Sequence, residues 1–105
     1  MEIYDIQIEQ AASGFSAMGS ESRLEVLQSL VRAGHDGLAV GEIQQRTGIP
    51  ASTLAHHLKI LSAAGLVDQE KHGRTIINKA RYDHLERLAN FILHECCIDQ
   101  ETSND

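Results

Sequence analysis

The chain has two cysteines, and they are adjacent: Cys96-Cys97 follows His94-Glu95 near the end of its 105 residues. A bond between neighbours closes a strained small ring rather than stapling distant segments, so thiols and not a disulfide framework are expected. Two soft sulfurs side by side can take a thiophilic metal or metalloid, or serve as a redox or persulfide switch. They can also be plain space-filling residues, because on a helical wheel Cys96 falls near Leu85, Ala89 and Ile92. A second set of chemistry-bearing side chains lies mid-chain: Ser52, Thr53, His56, His57 and Lys59, then Lys71, His72 and Arg74 around Gly73. These types suit nucleic acid. Lysine and arginine neutralise phosphate, serine and histidine bond phosphates or base edges, and a threonine methyl can meet thymine.

The elements that must position these residues follow from apolar spacing and its breaks. Ile3 to Met18 mixes apolar and small residues in a loosely helical pattern that Met18-Gly19 ends. Ser20 is placed to cap a second helix, with Glu21 at the positive end of its dipole. Leu24, Leu27, Leu30 and Val31 give that helix a core face, and Gly34 closes it. Leu38 to Thr47 predicts a short third helix, broken by Gly48-Ile49-Pro50. Leu54, Leu58 and Leu61 predict a fourth over Ala51 to Ala64, ended at Gly65. Leu66-Val-Asp-Gln-Glu and Arg74-Thr-Ile-Ile-Asn-Lys are β-tolerant runs around Lys71-His72-Gly73, predicting a hairpin whose glycine takes a positive φ. Tyr82 to Cys97 resumes helical spacing through Leu85, Leu88, Ala89 and Ile92. Residues 1–98 thus read as one domain, mainly α with a small β-hairpin, and 99–105 as a polar tail expected to fray.

Two helices joined by a tight turn and followed by a basic hairpin make a winged helix-turn-helix of five helices and a two-stranded wing, which lays its second helix in the major groove. With Leu54 at the zero of a wheel turning about 100° per residue, Leu58 and Leu61 stay within roughly 40° of it. Ser52, Thr53, His56 and Lys59 then lie opposite and are the candidate readers. His57 sits at the edge of the leucine stripe, where it packs or meets phosphate. Lys71, His72 and Arg74 put positive charge at a flexible tip, against a phosphate or the minor groove.

The net charge of −6 conceals this pattern. Residues 1–43 carry −5, residues 44–81 carry +4 and residues 82–105 carry −5, so an acidic body surrounds a basic centre. There is no Cys-x-x-Cys, no glycine-rich phosphate cradle and no second domain to form a cleft, which argues against an enzyme, a dithiol reductant included. Lys59, Lys71 and Arg74 argue against a winged helix used only as a protein-interaction module. The start, Met1-Glu-Ile-Tyr-Asp-Ile, lacks the basic and apolar runs of a signal peptide. No stretch approaches the roughly 20 apolar residues of a membrane span, so a cytoplasmic protein with no membrane partner is expected.

Met18-Gly-Ser-Glu-Ser-Arg-Leu-Glu-Val-Leu, Gly48-Ile-Pro-Ala-Ser-Thr-Leu-Ala-His-His-Leu-Lys-Ile-Leu-Ser-Ala-Ala-Gly-Leu-Val and Lys71-His-Gly-Arg together resemble the ArsR/SmtB (arsenic repressor) family of bacterial winged-helix regulators, over nearly the whole chain. The resemblance implies a homodimer built from the first and last helices. It would bind double-stranded, palindromic operator DNA and repress until an inducer releases it, with half-sites about one or more turns apart. Family metal cysteines in a Leu-Cys-Val-Cys-Asp-Leu pattern are replaced here by Leu38-Ala39-Val40-Gly41-Glu42-Ile43. The family's zinc-type Asp-x-His fails as well, because Leu85 stands two residues after Asp83, and its downstream positions fall on Cys96 and Asp99. His94-Glu95-Cys96-Cys97 resembles arsenite-responsive members, which makes Cys96 and Cys97 the expected ligands of a thiophilic inducer such as As(III), with no cofactor required. His94 reads as a surface histidine. Family arsenic sites commonly use three sulfurs, and this chain supplies two per subunit. An organoarsenical, which needs only two thiols, therefore fits best.

Overall fold

In the computed structural model, which describes residues 6–100, helical spacing becomes helix in five places. The first, α1 (Ile8–Met18), begins later than the expected Ile3, because Gln7 is extended and its amide donates to Gln10 Oε1 at 3.1 Å, as at a helix start. Residues 3–5 of that expectation lie outside the described residues, as does the tail from 101 onward. The second, α2 (Glu21–Ala33), is capped as predicted: Ser20 Oγ accepts from the Arg23 amide at 3.2 Å. Its buried face is Val26, Leu27 and Leu30. Leu24 and Val31, expected in the core, are 44% and 41% exposed, because they flank the stripe rather than lie on it.

After a single 3₁₀ turn at Gly34–Asp36, Leu38 and Ala39 do not begin a helix but form a two-residue strand, β1 (Leu38–Ala39). Helix α3 (Val40–Thr47) follows without a break, its first turn tied by the Ala39 amide donating to Glu42 Oε1 at 2.8 Å. Helix α4 (Ala51–Ala63) then leads into strands β2 (Val67–His72) and β3 (Thr75–Ala80) and helix α5 (Tyr82–Leu93). The hairpin turn is Gly73-Arg74 rather than Lys71-His72-Gly73, since His72 and Thr75 still face each other across the strands. Gly73 alone takes positive φ (64°), at the first of the two loop positions, where a primed turn wants glycine. The two-stranded wing, β2 and β3, is as expected, and β1 pairs with β3 to give three antiparallel strands in the order β1-β3-β2.

Leu54, Leu58 and Leu61 are at most 1% exposed and pack with Val26, Leu30, Ile43 and Leu66 in one core. At roughly 1.5–3 kcal/mol per fully buried leucine, the three leucines of α4 decide which face of that helix turns inward. The Tyr82 hydroxyl donates to the carbonyls of Leu30 (3.4 Å) and Val31 (3.1 Å), which ties the start of α5 to the end of α2. Ile8 on α1 and Ile92 and Leu93 on α5, with Ile98 beyond it, are 62–69% exposed, a far greater apolar exposure than elsewhere in the core-forming elements. No helix among the described residues is long and apolar enough to cross a membrane.

Candidate nucleic-acid interface

The turn between α3 and α4 is held by one hydroxyl. Thr47 Oγ1 donates to the Ile43 carbonyl at 2.8 Å and accepts from the Ile49 amide at 3.3 Å, while Ile49 plugs into the core at 8% exposure. Pro50 then starts α4 without a side-chain cap, which leaves the first amides of the helix without a side-chain acceptor. With the leucine stripe committed inward, Ser52, Thr53, His56 and Lys59 are all exposed, and they share the outer face as the sequence predicts. His57 is half-buried at the edge, its ring 6.3 Å from that of His56.

The hairpin sorts the basic residues of the middle third into two groups. Glu70 Oε1 takes Lys79 Nζ at 3.1 Å and His72 Nε2 at 3.2 Å. Arg81 pairs with Asp68 (3.6 Å) and Asp83 (3.3 Å). The bonds from His72 and then Lys79 hold the Glu70 carboxyl below its ordinary pKa, and the Arg81 bond does the same for Asp83. Among the described residues Lys59, Lys71 and Arg74 have no carboxylate partner, and neither does Arg46 at the end of α3. Within the basic middle third, the unneutralised positive charge therefore lies on the outer face of α4, at the wing tip and beside the turn, while Arg23 and Arg32 on α2 also have no carboxylate partner among the described residues. Sequence reasoning missed Arg46, whose only signal was membership of the basic third. It also placed His72 beside Lys71 and Arg74 without foreseeing its bond to Glu70.

Two imidazoles, one on α4 and one on α5, are half-buried. His57 Nδ1 and His84 Nε2 are buried with no hydrogen-bond partner in the protein. Burial first, then Arg23 and His56, pushes the His57 pKa down. Burial first, then Arg81 and Arg87, does so for His84 against the opposing Asp83. Both fold best neutral. In the unfolded chain they take protons near pH 6.5, so the stability they contribute is full above that pH and is lost as pH falls towards their lower folded values. Without DNA, the melting temperature should decline as pH falls below about 6.5, and His57→Gln with His84→Gln should flatten that decline. An unchanged slope in the double variant would mean that other groups govern it.

The cysteines do not sit on the helix that was expected to run to Cys97. Regular α5 stops at Leu93, and His94 to Gln100 form successive turns in which the Cys96 amide donates to the Leu93 carbonyl (2.8 Å) and the Ile98 amide to Glu95 (3.1 Å). Within these turns, beyond the end of the helix, Cys97 takes a left-handed φ of 66°, unusual for a side-chain-bearing residue. Both cysteines are exposed rather than packed, and their Sγ atoms lie 3.4 Å apart. His94 is engaged by the Phe91 carbonyl (3.1 Å) and Glu95 (3.6 Å). Among the described residues no group of three or more histidine, cysteine, aspartate or glutamate side chains is placed to hold a metal ion.

A helix pair joined by a tight turn, with an exposed polar second helix and a cation-tipped hairpin beside it, is the architecture of a winged-helix DNA-binding regulator. Known proteins agree. Residues 18–70 match the helix-turn-helix domain family. The nodulation protein NolR of Rhizobium meliloti is 36% identical over 80 residues, covering 76% of this chain and 63% of its own length, so the chain spans less than two thirds of that relative. An ArsR-like transcriptional regulator from Rhodococcus sp. RHA1 is 30% identical over 87% of this chain and 82% of its own, with a TM-score of 0.73. The homodimeric winged helix-turn-helix domain Mb0332 of Mycobacterium bovis shares the fold at 23% identity and a TM-score of 0.67, over 92% of this chain and 90% of its own. The chain belongs to the ArsR-like family of helix-turn-helix transcriptional regulators, which are not enzymes.

Proposed function

We propose that the protein is a homodimeric repressor that binds palindromic operator DNA and is released by a thiophilic inducer, most readily a trivalent arsenical, at Cys96-Cys97. The observation that carries the DNA reading is the sorting of charge. The cations on the wing body are bound to carboxylates, whereas Lys59, Lys71 and Arg74 are left for phosphate or guanine. The uncapped first turn of α4 adds backbone donors suited to a phosphate. Ser52, Thr53 and His56 then meet base edges, with His57 and His72 at the margin. Dimerisation is supported by the exposed Ile8, Ile92, Leu93 and Ile98, which give α1 and the end of α5 an apolar face for a second copy, and by the homodimer of the Mycobacterium relative. A regulator of this kind works where the DNA is, in the cytoplasm.

The sulfur geometry supports the inducer. At 3.4 Å the two Sγ atoms are well beyond the bonded distance of about 2.05 Å. Across one atom bound to each sulfur at about 2.3 Å they subtend roughly 95°, narrower than a tetrahedral site wants. That bite suits a pyramidal trivalent centre. With arsenite, two As–OH bonds are exchanged for two As–S bonds, and the two thiol protons leave with the hydroxyls as two waters. With phenylarsine oxide the thiol protons leave with the oxide oxygen as one water, and both arsenic valences open to exchange are filled. No electron is transferred and no cofactor is needed.

The test is fluorescence-anisotropy binding to the DNA upstream of the protein's own gene, under reducing conditions, with arsenite, phenylarsine oxide, cadmium or zinc added. The reading expects binding that the arsenicals reverse and zinc does not. Indifference to all four would refute the sensor and leave the DNA reading standing. Absence of binding to that DNA and to a pool of random duplexes would refute both.

A further inference from the structure

Two polar side chains lie within the described core, Ser29 and Asn78. The Ser29 hydroxyl bonds within its own helix, to the Val26 carbonyl. Asn78, with no exposed surface, joins parts of the chain far apart: its Nδ2 donates to the Leu38 carbonyl at 3.2 Å, and its Oδ1 accepts from Gln69 Nε2 at 2.8 Å. Asn78 sits on β3, the middle strand, in register with Leu38 on one side and Gln69 on the other. One line of bonds therefore crosses the sheet from the outer wing strand to β1, and β1 continues directly into α3. The approach is close enough to exclude a side chain at the residue before β1, because a Cβ on Gly37 would lie 2.5 Å from the Asn78 backbone oxygen.

Burial alone would favour an apolar residue at this position, as at Leu66 and Val67 nearby. A carboxamide adds direction. Its two bonds hold the plane of the hairpin at one angle to the strand that launches α3, and they do so at the root of a lever. From Gln69 to Gly73 is four residues, about 13 Å at the rise of a strand. A swing of about 10° at the root moves the tip by roughly 2 Å, enough to break a hydrogen bond that tolerates only about 0.5 Å of spread.

We propose that Asn78 is a positioning residue for DNA recognition: through Gln69 and the Leu38 carbonyl it sets the angle of the wing against the helix-turn-helix, so that Lys71 and Arg74 reach the duplex while α4 lies in the groove. The inference rests on the DNA reading above and adds a residue that touches no DNA itself.

The test is a double-mutant cycle on the full chain. Affinity and its salt slope are measured for the wild type, Asn78→Leu, Lys71→Gln with Arg74→Gln, and the combination, with Lys59→Gln as a control in both backgrounds. In the wild type, neutralising the tip should weaken binding about tenfold or more and reduce the salt slope. In Asn78→Leu, which keeps the volume and loses the direction, the same neutralisation should cost less than about twofold, while Lys59→Gln costs as much as before. Circular dichroism and the melting curve establish that each variant is folded. If Asn78→Leu does not fold, Gln69→Met, which cuts the same line at its exposed end, takes its place in the cycle. A tip effect that persists undiminished in a folded variant overturns the proposal and leaves the DNA reading intact. A wild type whose binding is indifferent to tip neutralisation overturns the wing contact itself.

Discussion

Replacing Lys59, Lys71 and Arg74 together by glutamine should abolish detectable operator binding at physiological salt while leaving the fold intact. Each phosphate neutralised on duplex DNA contributes about 0.9 to the slope of log affinity against log salt. Three cations per protomer make six in a twofold dimer, so the slope should fall by up to about five, and affinity near 0.15 M salt by on the order of 10⁴-fold. All three side chains lie on exposed positions and have no carboxylate partner among the described residues, which is why stability should barely change. The informative comparison is between Lys71→Gln and Lys79→Gln. Both remove one positive charge from the same hairpin, so a purely global charge effect predicts equal losses. Lys79 is held by Glu70 at 3.1 Å and points its charge at that carboxylate, whereas Lys71 has no such partner. Lys71→Gln should reduce both affinity and slope, and Lys79→Gln should change affinity by less than about threefold. Equal losses would show that the protein is attracted to DNA by its overall field and not by a sorted tip.

That sorting was beyond the reach of the sequence, and the reason is geometric. Glu70 stands opposite Ile77 in the ladder, with Lys79 on the next diagonal position of the same face and His72 two residues along its own strand. Such neighbours are set by register, and register depends on whether the turn is Gly73-Arg74 or Lys71-His72-Gly73. By contrast, the reader face of α4 was legible because three leucines at intervals of four and three leave only one side for everything else. The strand at Leu38–Ala39 had no legible signal: two residues have no period, and their extended state comes from pairing with Asn78 and Ile77 some forty residues later. The late residues of α5 misled in the opposite direction. The spacing through Leu85, Leu88, Ala89 and Ile92 continues to Cys96 on paper, but beyond Leu88 nothing of this segment is fully buried, and without packing to reward it the helix stops at Leu93. Periodicity reports what could be helical, and burial decides how much of it is.

The early end of α5 strengthens the case for the cysteine pair and gives the second large effect. A chelate needs both sulfurs on one side, yet adjacent residues of a regular helix point about 100° apart. Here the pair lies beyond the end of the regular helix, with Cys97 at a left-handed φ, and the sulfurs are 3.4 Å apart in the open. Phenylarsine oxide should therefore bind once per protomer and weaken operator affinity by roughly 5- to 150-fold, the range of a coupling of 1–3 kcal/mol. Cys96→Ser and Cys97→Ser should each bind DNA as tightly as the wild type and each lose the response, since a ring closed by two sulfurs cannot be closed by one. Mass spectrometry of the intact protein counts the adduct, and anisotropy reads the release. A single variant that still responds fully would show one thiol acting alone, which excludes the chelate. The coupling has a physical route: Leu93 and Ile98 bracket the pair and are 62% and 69% exposed, at the apolar end of α5 that a second copy would cover. Closing a ring at Cys96-Cys97 fixes the turn between them and shifts one relative to the other. In the proposed twofold dimer such a shift would change the distance between the two α4 helices, and an operator whose half-sites are a fixed number of base pairs apart would be bound at one distance only.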